Sequence, residues 1–131
     1  MKKTPLLNHP ISSVIASMGH TDMLVIADAG LPIPPGVERI DLSVVAGMPP
    51  FLDVVKAILG ELQVERAIVA SEMRERSLPV REALADMLVH IPMSDVPHDE
   101  FKRLTQSAKA IIRTGECTPY ANVILVSGVV F

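Results

Sequence analysis

The chain has 131 residues, about one domain's length; 49% are hydrophobic and mean hydropathy is +0.38, which excludes a disordered chain and suggests that other subunits cover apolar surface. A net charge of −3, no basic cluster and only 3% aromatic residues argue against nucleic-acid binding by phosphate neutralisation or base stacking. The single cysteine, Cys117, rules out an internal disulfide framework and a Cys-based zinc site.

In chain order, Met1-Lys2-Lys3 precedes a stretch broken by Asn8, His9, Pro10, Ser12 and Ser13. A signal peptide needs a continuous apolar core there, so the chain reads as cytoplasmic. Ile11, Val14, Ile15 and Met18 have helical spacing and predict a first helix over 10–18, with Gly19 as its stop. Met23 to Ala29 is an apolar run of strand length, as in a strand buried on both faces. Three prolines stiffen the loop from Gly30 to Gly36. Ile40, Leu42 and Val44 alternate like a strand, and Phe51 to Leu62 carries one helical apolar stripe. Arg66 to Ala70 reads as a strand, Val80, Leu84 and Met87 as a helix, and Val89 to Met93 as a short edge strand beside Pro92. A long helix is expected from Pro97 to Arg113, with Phe101, Leu104, Ala108 and Ile111 inward, and a last strand from Asn122 to Val130. Such alternation predicts an α/β fold: three layers, α/β/α, around a mixed, mostly parallel sheet of about six strands, as a single domain over 1–131.

Neither phosphate-cradling glycine pattern is present, nor is His-Glu-x-x-His, and His9, His20, His90 and His98 lack short metal-ligand spacing. Cys117 has no evident activating histidine and reads as a small filler residue. His20 lies between a helix stop and a strand, where a capping histidine and a catalytic one are both consistent with the sequence. Asp28 closes an apolar strand, either as a loop cap or as an acceptor for a ligand hydroxyl. His98 falls in the first turn of a helix, and Tyr120, Ala121 and Asn122 sit in a turn before the last strand.

Taken together, Gly19-His20-Thr21-Asp22, Val25 to Gly36 (VIADAGLPIPPG) and Ala108 to Leu125 (AKAIIRTGECTPYANVIL) closely resemble the D-ribose pyranase branch, the RbsD type, of the RbsD/FucU sugar mutarotase family. The resemblance covers nearly the whole chain and is weakest over 72–94. It implies interconversion of the β-pyranose and β-furanose forms of D-ribose without a cofactor or metal. It also implies a ring-shaped homodecamer with the site at a subunit interface. His20 matches the family's catalytic histidine, and Asp28, His98, Tyr120, Ala121 and Asn122 match sugar-binding positions. Ring opening moves only protons, and histidine, titrating near cellular pH, suits that task. A helix C-terminus before His20 favours imidazolium and a helix N-terminus at His98 favours the neutral ring, which makes His20 the expected proton donor to the ring oxygen and His98 the holder of a sugar hydroxyl. The alternatives are a mutarotase of another sugar, such as fucose, and a non-catalytic sugar-binding accessory to ribose transport.

Overall fold

Runs buried on both faces decide the architecture of the computed structural model, which describes residues 1–131. Along β1 (Met23–Ala27), Leu24 and Ile26 enter one core while Val25 and Ala27 enter another. The strand β6 (Val123–Ser127) divides the same way, Val123 and Leu125 against Ile124 and Val126. Period-two side chains with both faces covered require a sheet between two layers.

The other strands are β2 (Glu38–Asp41), β3 (Val64–Ala70), β4 (Met93–Val96) and β5 (Ala110–Arg113). Their order is β2-β5-β1-β6-β3-β4. Only β6 runs against its neighbours; the pairs β2–β5, β1–β5 and β3–β4 are parallel. The predicted mixed, mostly parallel six-stranded sheet is therefore the one observed.

One face is covered by α1 (His9–Ser17), α2 (Phe51–Leu59), α3 (Met73–Arg76) and α4 (Leu78–Met87). Ile11, Val14, Phe51, Val55, Ile58 and Leu84 fill that larger core. The opposite face is covered by α5 (His98–Thr105), through Phe101, and by Leu31 of the proline-rich loop. Burying one such phenylalanine contributes about 1.5–3 kcal/mol. Local chemistry fixes the helix starts. Asn8 caps α1 by accepting from Ile11 N at 3.0 Å, with Pro10 in the first turn. No helix is long and apolar enough to cross a membrane.

Three expectations need correction. The helix predicted over 97–113 ends at Thr105, and Ala110–Arg113 is an inner strand between β2 and β1. Phe101, Leu104, Ala108 and Ile111 do have helical spacing, but Ala110 and Ile112 bury one face and Ile111 the other. That two-sided burial suits the β-branched pair to a strand. The edge strand expected over 89–93 lies at Met93–Val96, after Pro92, which has no N–H to donate but whose carbonyl accepts from Ala67 N at 2.9 Å. The strand expected through Val44 stops at Asp41; Val44 is exposed at the start of a tight turn closed on itself by the Val45–Met48 bridge. The four-residue α3 was not anticipated.

Candidate active site

Parallel strands collect their following loops at one end of the sheet. The ends of β1, β3 and β4 lead there to Asp28, Glu72 and His98, and the start of antiparallel β6 brings Asn122. Asp28 and Asn122 clasp each other twice. Asn122 Nδ2 donates to Asp28 Oδ2 at 2.9 Å, and Asp28 N donates to Asn122 Oδ1 at 2.8 Å. Asn122 and Ala121 are buried, so the clasp is shielded from water on the Asn122 side, while Asp28 stays partly exposed to the cavity. The other carboxylate oxygen, Oδ1, accepts from Gly30 N at 2.9 Å. Asp28 is thus a loop cap, and its Oδ2 also faces the group that holds it.

His98 opens α5, and its backbone N–H donates to Glu72 Oε2 at 2.9 Å. That carboxylate satisfies an orphan donor and suits the positive end of the helix. The His98 ring meets Tyr120 edge-on at 5.0 Å between centroids, a favoured aromatic geometry. Its Nδ1 is buried without a hydrogen-bond partner. Tyr120 adopts φ +62°, a left-handed backbone that non-glycine residues rarely take. Strain of this kind collects where a turn must aim a side chain. Asp28, His98 and Tyr120 line one cavity of about 300 Å³ with Gly30, Leu31, Pro32 and Arg76.

Behind the cavity, Arg113 ties the loop down. Its Nε donates to Ala29 O at 3.0 Å and its Nη1 to Asp41 Oδ2 at 3.0 Å and Ser43 Oγ at 2.9 Å. The hydroxyl and amide of Ser43, followed by Arg113, hold the Asp41 carboxyl down at about 2. Asp95 is lowered too: burial would raise it, but hydrogen bonds from Arg74 and Arg81 prevail.

His20 is elsewhere. It precedes β1 while Asp28 follows it, so the length of the strand separates them, roughly 16 Å for five residues. Its ring is 55% exposed and Nε2 lies 2.7 Å from Glu65 Oε2. It pairs with this carboxylate rather than capping α1. It borders a second hollow with Ile15, Met18, Leu62 and Val129. The structure therefore brings together Asp28, His98, Tyr120 and, through the clasp, Asn122, with Ala121 buried behind; it does not bring His20 to them. Cys117 is exposed, not the filler residue expected, because it lies in the 116–119 turn outside both cores. Sequence reading missed Glu72, Arg76 and Arg113. They are charged residues near strand or helix ends with no local motif, and only the topology gives them a shared address. No three His, Cys, Asp or Glu side chains converge as metal ligands would.

Fold and cavity together define a three-layer α/β protein whose polar, hydroxyl-accepting groups gather at the carboxyl ends of its parallel strands. The sequence profile of the RbsD / FucU transport protein family matches residues 1–130, and the chain belongs to that family. It is 57% identical over 131 residues to the D-ribose pyranase of Symbiobacterium thermophilum and 56% identical over 131 to that of Laribacter hongkongensis, each match covering 100% of both chains. The structure of Bacillus subtilis RbsD complexed with D-ribose is similar with a TM-score of 0.98, at 46% identity and 100% coverage of both chains.

Proposed function

We propose that the chain is a cytoplasmic D-ribose pyranase, a single domain over 1–131 that interconverts β-D-ribopyranose and β-D-ribofuranose. The observation that carries the reading is the cavity of Asp28, His98 and Tyr120 with Asn122 locked behind it. Full-length relatives that carry the D-ribose pyranase name support the sugar assignment.

The reaction moves protons only. His20, as imidazolium, donates to the ring oxygen as its bond to the anomeric carbon breaks. The anomeric hydroxyl loses its proton and becomes the aldehyde oxygen. After rotation, the hydroxyl of the other ring size attacks that carbon and gives up its proton, and the aldehyde oxygen regains one. Neither electrons nor phosphate are transferred, so no cofactor is required. Asp28 and Tyr120 hold sugar hydroxyls, Asn122 fixes Asp28 from behind, and His98, at the start of α5, binds a further hydroxyl. Positioned acid–base groups contribute about 10²–10⁴-fold.

One copy cannot bring His20 to its own Asp28, because β1 lies between them. That separation supports a site shared between subunits of a homo-oligomer, a ring-shaped decamer by family resemblance, with His20 supplied by a neighbour. The family's description as transport proteins favours one other reading, a sugar-binding accessory without catalysis.

Saturation transfer between the anomeric protons of D-ribose, with catalytic amounts of protein, separates the two. Exchange of pyranose and furanose signals is expected, with a loss of about 10²-fold or more in His20→Ala. Ribose binding at the uncatalysed exchange rate would overturn the proposal in favour of the accessory. Exchange with L-fucose but not ribose would reassign the sugar.

A further inference from the structure

We infer that Glu65 is a positioning residue for the reaction: it holds the His20 imidazole by Nε2 and leaves Nδ1 as the nitrogen that delivers the proton. The inference rests on the reading above that His20 is the proton donor.

The contact itself is 2.7 Å, within the charge-assisted range. More telling is how the backbone is built to make it. In the ladder with β6, Val64 pairs with Ser127 and Arg66 with Val126, so Glu65 is an extra residue in a bulge. The bulge also shifts the alternation of β3. Val64, Ala67 and Val69 all enter the same core, although an unbroken strand would send Val64 to the opposite face from the other two. Bulges of this kind re-aim one side chain, and they concentrate beside active sites. Here Glu65 and Arg66 are both exposed, and Glu65 reaches the ring.

The neighbouring strand end is shaped around this bulge. A Cβ on Gly128 would lie 3.2 Å from Glu65 Cβ and 3.4 Å from its N, while Gly128 N donates to Gln63 O at 2.8 Å. The other partner is fixed with equal care. Thr21 has φ +70°, which is strained for a β-branched residue, and its N–H donates to Ser127 O at 2.9 Å. Asp22 accepts from Gly19 N at 2.8 Å and so closes the turn that presents His20. Both halves of the pair are therefore anchored on residues 127–128.

Asp22 and Glu61, the nearby acidic side chains, each face a lysine, although Glu61 Oε1 is buried without a hydrogen-bond partner. Asp22 faces Lys109 at 3.6 Å, and Glu61, across the hollow, faces Lys2 at 3.7 Å. Glu65 is thus the carboxylate that meets the imidazole. A hydrogen bond at one ring nitrogen sets which nitrogen carries the mobile proton. With Nε2–H donated to Glu65, the neutral ring is the Nε2–H tautomer, and the proton gained and lost in each turnover sits on Nδ1.

The test uses the intact oligomer with ¹⁵N-labelled histidine, the His20 signals being assigned by their loss in His20→Gln. Ring ¹⁵N shifts report the tautomer, and saturation transfer gives kcat and KM for ribose. Wild type is expected as Nε2–H. Glu65→Ala is expected as a tautomer mixture, with kcat down about 10-fold to 100-fold, as for other orienting partners, and KM changed less than about 2-fold. Glu65→Gln, whose carbonyl oxygen still accepts from Nε2–H, should recover the tautomer and part of kcat. His20→Ala/Glu65→Ala should be no slower than His20→Ala alone, because residues acting as a unit are not additive. A wild-type Nδ1–H tautomer, or Glu65→Ala with unaltered tautomer and kcat, would overturn the inference. A wild-type protein that fails to exchange ribose forms would defeat the pyranase reading instead, while the tautomer would still report whether Glu65 orients the ring.

Discussion

The two ends of the sheet are organised on opposite principles. At the carboxyl ends of the parallel strands the polar groups are turned inward: Asn122 is buried, Asp28 is clasped twice, and Glu72 seals the start of α5. At the amino end, the His20–Glu65 pair faces outward, with His20 55% and Glu65 36% exposed. Preorganised acceptors gain from exclusion of water, which strengthens each hydrogen bond they offer. If His20 is the proton donor for a neighbouring copy, as proposed, it must instead project from the surface that holds it. The contrast teaches that burial alone is a poor guide to which residues act. The exposed end is shaped by the positive φ of Thr21 and the bulge at Glu65 and tied by backbone hydrogen bonds to Ser127 and Gln63 rather than by core packing.

The strongest way to break the comparison is to spoil the buried end without changing its shape. Asn122→Asp puts a second carboxylate where Nδ2 now donates to Asp28 at 2.9 Å. Two carboxylates at that distance cannot both stay ionised, so one retains a proton at neutral pH. With that proton in place the new carboxyl still donates to Asp28, so ribose exchange is expected to be retained in part at neutral pH and to fall more than about 100-fold as pH rises and the pair loses its shared proton. Asn122→Ala instead leaves the Asp28 N–H without its partner and should cost about 1–3 kcal/mol of stability. An Asn122→Asp enzyme that stays fully active after the pair has lost its shared proton would show that the clasp is not part of the site.

Mixing tests whether the two ends complete each other. His20→Ala subunits retain the cavity, and Asp28→Asn subunits retain the donor. If each site takes its donor from one copy and its acceptors from another, random reassembly of equal amounts leaves both intact at roughly one site in four. Exchange is therefore expected to rise from near background to about a quarter of wild type after unfolding and refolding together. Persistent inactivity of well-formed mixed oligomers would place donor and acceptors on the same copy.

The sequence disclosed the buried end more readily than the exposed one, for physical reasons. Runs such as Leu24 to Ala27 and Val123 to Val126 are apolar at every position, and only two-sided burial explains that. Asp28 stands out because it terminates such a run. By contrast, Ala110 to Arg113 is short and continues the 3.6-residue spacing of α5, so the helix and strand patterns coincide there until tertiary burial separates them. Glu65 was invisible for another reason. A bulge is a relation between two strands, and nothing in Val64-Glu65-Arg66 by itself signals an unpaired residue. His20 and the cavity residues were legible as a set only through the long motifs around them. Their separation by the length of β1 is a property of the topology, since chain neighbours on either side of a strand face opposite ends of a sheet.

The smallest expected effect concerns the brace beneath the cavity. Asp41 sits at the end of β2, and through Arg113 it reaches Ala29, next to Asp28. Its carboxyl is held down at about 2 by the Ser43 hydroxyl and amide, then by Arg113. A carboxyl lowered on folding adds stability above its unfolded value of about 3.9, and that contribution is lost as pH falls toward about 2. With the side chain 39% exposed, solvent screens the ion pair, so the contribution is less than about 1 kcal/mol. Asp41→Asn should lower Tm by about 1–4 °C at pH 7, and the difference from wild type should shrink on acidification through that window. The same variant should raise KM for ribose by less than about 2-fold, because Arg113 keeps its bond to Ala29 O. A larger KM change with unchanged Tm would mean that Asp41 acts on the cavity directly. A Tm deficit that persists at low pH would mean that the asparagine disturbs the turn at Ser43 rather than removing a charge.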